Sequence, residues 1–176
     1  MSEHFADEKE EIAEILRVNH AGEYAAKRIY QGQLDCIKDP EAKKIIQEMA
    51  DGEVEHLDYF ENEIVKRKTR PTILHPLVHT IGYALGAVTA KMGTKAAMAC
   101  TTAVEEVIAD HYKDQIDSLN DSEKELKSKI TKFREDEIGH KETALENDAE
   151  KFSAYPILSS VVKSGCKLAI RLAKRF

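Results

Sequence analysis

The chain has 176 residues, 33% of them charged, no tryptophan and a formal net charge of −6. That length suits one domain around one core, and the scarcity of glycine (8) and proline (4) favours helix over sheet. The acidic balance excludes a general nucleic-acid binder, which needs a basic face to displace phosphate counterions.

From Glu8 to about Ile37, the stripe Ile12, Leu16, Ala26, Tyr30 and Ile37 predicts a long helix. Asp39-Pro40-Glu41 predicts a fresh start: a capping Asp, Pro at the first helical position and an acidic first turn. This second helix runs to about Lys68, with Ala42, Ile45, Ile46, Met49, Leu57, Phe60 and Ile64 on its apolar face. Thr72 to Ala90 carries no Asp, Glu, Lys or Arg, and its Pro76, Gly82 and Gly86 predict a bent, shallow segment. A third long helix follows from about Thr94 to Leu119. Ser122-Glu123-Lys124-Glu125 reads as a capping box opening a fourth, which runs to about Phe152. After Tyr155-Pro156, residues 157–176 form a last helix, apolar on one side and basic on the other. Four long helices, each about 40 Å at 1.5 Å per residue, suit an antiparallel four-helix bundle.

Cys36, Cys100 and Cys166 are odd in number and far apart, and none sits in a CxxC pair. They predict neither a disulfide framework nor a zinc knuckle, and so a reducing compartment. The start, MSEHFADEKEE, has no basic cluster followed by an apolar run, and predicts a protein made without a secretory signal.

The chain also repeats a pattern. Glu23 is followed by Glu53-Val54-Glu55-His56, and Glu105, at a similar distance, by Glu137-Ile138-Gly139-His140. Two helical hairpins related by a pseudo-twofold would each bring one lone Glu and one Glu-x-x-His. Residues three apart share a helix face, and these pairs fall on apolar stripes. Glu53 and His56 lie between Met49 and Phe60, and Glu137 and His140 between Ile130, Phe133 and Ala144. Glu23 lies between Leu16 and Tyr30, and Glu105 between Met98 and Tyr112. Glu106 fails the same test, because its neighbours at helical spacing are Asp110 and Lys113.

Four unpaired buried carboxylates would each cost several kcal/mol and would protonate rather than stay charged together. Two divalent metal ions remove that penalty. One Glu from each of two helices, with Glu-x-x-His from the other two, is the di-iron or di-manganese carboxylate pattern, and its oxygen-rich donor set suits iron or manganese better than zinc. The metal-ligand set read here is therefore Glu23, Glu53, His56, Glu105, Glu137 and His140. Asn19, one turn before Glu23, and Tyr112, two turns after Glu105, are candidates to touch those ligands. His111 lies beside the core stripe and is read as a neighbour rather than a ligand.

At LRVNHAGEYAA, EVEHLDYF, CTTAVEEVIADHY and EDEIGHKETA the sequence resembles the demethoxyubiquinone hydroxylases, di-iron monooxygenases of ubiquinone biosynthesis. The resemblance runs from about residue 10 to the C-terminus, and every ligand position of the family pattern is filled. It implies a single ferritin-like di-iron domain over 1–176, while the uncharged run and the basic amphipathic helix make 72–93 and 157–176 candidate membrane-contacting helices, the alternative for the first being an ordinary buried connection in a bundle. It implies two iron ions and O₂-dependent hydroxylation of the ring of a polyprenylated demethoxyubiquinol. By analogy with the motif order, Glu23 and Glu105 would be terminal ligands on different irons, and Glu53 and Glu137 would bridge. The implied partners are the polyprenyl quinol, O₂, a lipid surface, a separate electron donor and other proteins of ubiquinone biosynthesis. The implied place is peripheral, on the cytoplasmic face of a bacterial inner membrane. The rival reading is a ferritin-like iron-oxidising or peroxide-scavenging protein, which can use the same six ligands.

Overall fold

The computed structural model describes residues 2–176, with side chains from residue 9 onward, and among these there is no strand. Six helices follow one another: α1 (Ser2–Cys36), α2 (Pro40–Lys66), α3 (His75–Lys91), α4 (Thr94–Ser118), α5 (Lys124–Glu146) and α6 (Tyr155–Arg175). The four longest, α1, α2, α4 and α5, form the bundle, as the periodicity predicts; α3 packs along α1 and α6 along α4. The chain is thus three helices repeated, each third helix lying on the first of its own set.

α1 begins six residues earlier than the stripe alone indicates. The start of α2 is as predicted: Asp39 Oδ1 accepts from the backbone N–H of Glu41 (3.0 Å) and Ala42 (3.4 Å), with Pro40 in the first turn. α2 ends at Lys66. Arg67 then binds the Glu63 carboxylate through Nε (2.7 Å) and the Glu123 carboxylate through both terminal nitrogens (2.8 and 2.6 Å). The N-cap of α5 is Glu123, one residue later than a box opened by Ser122 would place it. Asp121–Glu123 is instead a single 3-10 turn, and Glu123 offers no side-chain cap to α5. α5 also stops at Glu146, short of Phe152, because Asp148 turns left-handed (φ 67°) and a 3-10 turn at Ala149–Lys151 follows.

α3 runs unbroken from His75 to Lys91 despite Gly82 and Gly86. Pro76 stands in its first turn, where no intrahelical N–H is needed. Its glycines serve close approach to α1. A Cβ on Gly86 would lie 1.9 Å from the Ile29 carbonyl oxygen, and one on Gly32 of α1 would lie 2.2 Å from that of Tyr83. Only a bare backbone fits there. Tyr24 adds a fastening by donating to or accepting from His79 Nδ1 (2.6 Å) and lying against the His75 ring, 3.8 Å between centroids. At the other accessory helix, Arg17 donates to the carbonyls of Ala173 (3.0 Å) and Lys174 (2.8 Å), which closes the last turn of α6.

Inside the bundle two apolar clusters lie end to end. One gathers Ala26, Tyr30, Ile37, Ile46, Met49, Met98 and Ala144, the other Ile12, Leu16, Phe60, Tyr112, Leu126, Ile130 and Phe133. In sequence, the six candidate ligands fall between these sets on all four helices.

Candidate metal centre

Each ligand candidate sits mid-helix, with apolar residues one or two turns away on the same face, so packing those residues carries the polar side chain inward. Glu23, Glu53, His56, Glu105 and Glu137 are at most 1% exposed; the His140 side chain is 15% exposed. Their donor atoms form two overlapping groups, Glu23–Glu53–His56–Glu137 and Glu53–Glu105–Glu137–His140, within each of which the atoms lie inside 4.8 Å of one another. Glu53 and Glu137 belong to both groups. His56 Nδ1 is 3.2 Å from Glu137, 3.4 Å from Glu53 and 3.5 Å from Glu23. His140 Nδ1 is 3.0 Å from Glu53 and 3.6 Å from Glu137.

The electrostatics of this layer are poor without cations. Burial, helped by repulsion from Glu137 and Glu53, pushes the Glu23 and Glu105 carboxyls well above the ordinary value. Burial also acts on Glu53, but the nearby imidazoles of His140 and His56 overcome it and hold that group at about 2. His140 is pulled down by burial, yet Glu137 and Glu53 raise it to about 9. Glu23 Oε2, Glu105 Oε2, both oxygens of Glu53 and of Glu137, and the Nδ1 atoms of both histidines are buried without a hydrogen-bond partner. Native interiors hold only a few such atoms, and scattered ones. Here they converge, and their mix of carboxylate oxygen and imidazole nitrogen is the donor set of a divalent transition metal. The residues therefore fit metal ions.

The neighbours are partly those expected. Tyr112 donates to Glu23 Oε1, and Tyr30, read from the sequence only as packing, donates to Glu105 Oε1 at 2.7 Å. Each tyrosine stands seven residues after the other's glutamate partner, so the repeat that exposes Glu23 and Glu105 also exposes this pair. Asn19 does not reach the cluster. It exchanges hydrogen bonds with Gln115 (2.9 and 2.7 Å), whose Nε2 lies 2.9 Å from His111 Nε2. Burial pushes His111 down to about 4. Glu106 lies outside the cluster and pairs with Lys163 and Lys141. Asp136, which the sequence reading missed, places Oδ2 3.2 Å from His56 Nε2. Its one signal was the acidic pair before Glu137 in EDEIGH.

Fold and site together define an all-α bundle protein with a buried glutamate–histidine cluster able to hold metal ions. The sequence model of the family described as ubiquinone biosynthesis protein COQ7 matches residues 10–173, and the chain belongs to that family. It is 46% identical over 171 residues to the mitochondrial NADPH-dependent 3-demethoxyubiquinone 3-hydroxylase of Bos taurus, covering 95% of this chain and 79% of the relative. It is 47% identical over 165 residues to the 3-demethoxyubiquinol 3-hydroxylase of Rhodospirillum rubrum, covering 93% and 78%. With the mitochondrial 5-demethoxyubiquinone hydroxylase of Saccharomyces cerevisiae it shares 35% over 178 residues, covering 92% and 76%.

Proposed function

We propose that this protein is a di-iron, O₂-dependent monooxygenase that hydroxylates the ring of a polyprenylated demethoxyubiquinol in ubiquinone biosynthesis. The observation that carries the reading is the pair of overlapping donor groups sharing Glu53 and Glu137, in a chain whose relatives bear hydroxylase names. Glu23 and His56 would hold one iron, Glu105 and His140 the other, and Glu53 and Glu137 would bridge them. The bound irons supply O₂ activation, with one oxygen atom delivered to the ring carbon and the other released as water. The chain's own part is to hold that charge in a dry layer. Tyr30 and Tyr112 donate to the two terminal carboxylates and fix their orientation, and the apolar clusters above and below exclude bulk water.

The substrate's prenyl tail asks for lipid, and α3 with α6 supports a membrane-surface reading of 72–93 and 157–176. No helix among the described residues is long and apolar enough to cross a membrane. Ile73, Leu77, Ile81 and Val88 on one side, and Ile157, Val161 and Leu168 on the other, are exposed instead. Lys167, Arg171, Lys174 and Arg175 accompany them, as on helices that lie on anionic bilayers. The protein then sits peripherally on the cytoplasmic face of a bacterial inner membrane. There it takes quinol from the lipid and electrons from a separate donor, beside other proteins of the pathway. Sedimentation with anionic liposomes, reversed in part by salt and weakened by Lys167→Glu with Arg171→Glu, is the expected result; no binding at low salt contradicts the surface assignment.

Turnover under ¹⁸O₂ tests the activity. Iron-loaded protein given a reductant and a demethoxyquinol analogue should yield a product carrying one ¹⁸O atom in the new hydroxyl. Rapid oxidation of added ferrous iron with no hydroxylated product would favour the iron-oxidising rival instead.

A further inference from the structure

The pseudo-twofold that pairs Glu53 with Glu137, His56 with His140 and Tyr112 with Tyr30 breaks at the residue before each bridging glutamate. On α5 that residue is Asp136, whose carboxylate reaches the outer nitrogen of His56 at 3.2 Å. On α2 it is Gly52, which has no side chain to offer His140. Among the described residues no hydrogen bond reaches His140 Nε2. The His140 ring edge lies where a side chain would start, since a Cβ on Gly52 would be 3.0 Å from Nε2 and 3.3 Å from Cε1.

Gly52 is in the interior of α2, where glycine costs about 1 kcal/mol relative to alanine. Its backbone is not left-handed, since Gly93 is the only glycine of positive φ among the described residues. The helix does not require a glycine here, whereas any side chain would press on the imidazole edge and push it by a few tenths of an ångström. The surroundings differ in the same sense. The His56 side chain is 1% exposed and its ring lies 4.1 Å from that of Phe133, centroid to centroid. The His140 side chain is 15% exposed beside an exposed Gly52. A carboxylate on the outer nitrogen of a ligating histidine fixes its tautomer and orientation and raises its basicity toward the ion.

We propose that the two metal positions are unequal by construction. The position at His56, backed by Asp136, holds its ion tightly. The position at His140 is the exchangeable one, loading and emptying past Gly52 on the α2–α5 face. That face lies opposite the side of the bundle covered by α3 and α6. The inference rests on the two-metal reading above and adds an order of filling and a route. Asp136 acts in it as a positioning residue, touching the ion only through His56.

The test is chelation of anaerobically Fe(II)-loaded protein by bipyridine, followed by absorbance in a rapid-mixing instrument. Two phases of equal amplitude are expected. Asp136→Asn should speed the slow phase by roughly 10–100-fold and leave the fast phase unchanged, a selectivity that a general loss of stability would not give. Gly52→Ala suits the helix but crowds the His140 ring. It should keep its helical circular dichroism while retaining about one iron per chain by elemental analysis, that of the slow phase. Loss of both irons in one phase overturns the inference, as does equal acceleration of both phases by Asp136→Asn. Those results leave the two-metal reading standing; an unmodified protein that binds no iron, or one, sinks that reading and the inference with it.

Discussion

The middle layer of the bundle and the apolar clusters flanking it come from the same four helices, but opposite physics holds them. In the flanks Leu16, Phe60, Leu126, Ile130 and Phe133 are fully buried, and folding gains from removing them from water. In the middle layer folding buries carboxylates and imidazoles of which several atoms make no hydrogen bond. The flanks therefore stabilise the fold and the middle weakens it until cations arrive. The contrast teaches that stability and metal binding are separable in this molecule, and substitutions should separate them.

The largest effect is expected in the middle. Glu53→Ala or Glu137→Ala should abolish hydroxylation and iron retention, because each removes a shared ligand. Metal-free Glu105→Gln should be no less stable in urea than metal-free parent, since burial already drives that carboxyl toward its neutral form. Glu106→Ala, in a residue turned toward Lys163 and Lys141, should keep most activity. Equal damage from Glu105→Ala and Glu106→Ala in a turnover assay would put the helical phase of α4 in error.

A flank substitution should do the reverse. Phe60→Ala removes a fully buried ring that packs edge-on to Phe133, 5.7 Å between centroids. It should lower stability by about 3–5 kcal/mol, measured by urea denaturation, while the folded protein still binds the parent's complement of iron.

The smaller effect is one of pH. Glu23 and Glu105 have folded-state pKa values raised above the ordinary 4.5. Folding then favours their protonated forms. Their contribution is fully favourable below about pH 4.5 and is lost as pH rises through the raised values. Metal-free protein should lose stability from this source as pH climbs above that point. Iron-loaded protein should not, because the ions replace the protons. Thermal melts of both forms across pH 5 to 8 would show the two curves diverging; parallel curves would contradict the account.

Much of this was legible in the sequence because helical spacing reports burial. The six side chains converge because each shares a stripe with residues such as Met49, Phe60, Ile130 and Phe133, which must face inward. Asp39 capped α2 as read, because capping depends on residues adjacent in sequence. What was not legible depended on distant partners. Gly82 and Gly86 look like helix breakers until α1 is seen against them. Nor does the sequence show that Arg67, from the end of another helix, takes Glu123 at the start of α5. Asp136 hid for another reason. Its side chain is 40% exposed on the charged side of α5, near Lys132, and the stripe test classes such a residue as surface. Only the position of His56 across the bundle gives it a role.

The central claim is that these six side chains form one site for two irons. Elemental analysis of iron-reconstituted protein tests it most directly, on the parent and on Glu137→Gln. The account predicts two irons per chain in the parent and a clear loss in the variant. A single tightly bound zinc in the parent, or unchanged iron in Glu137→Gln, would contradict it.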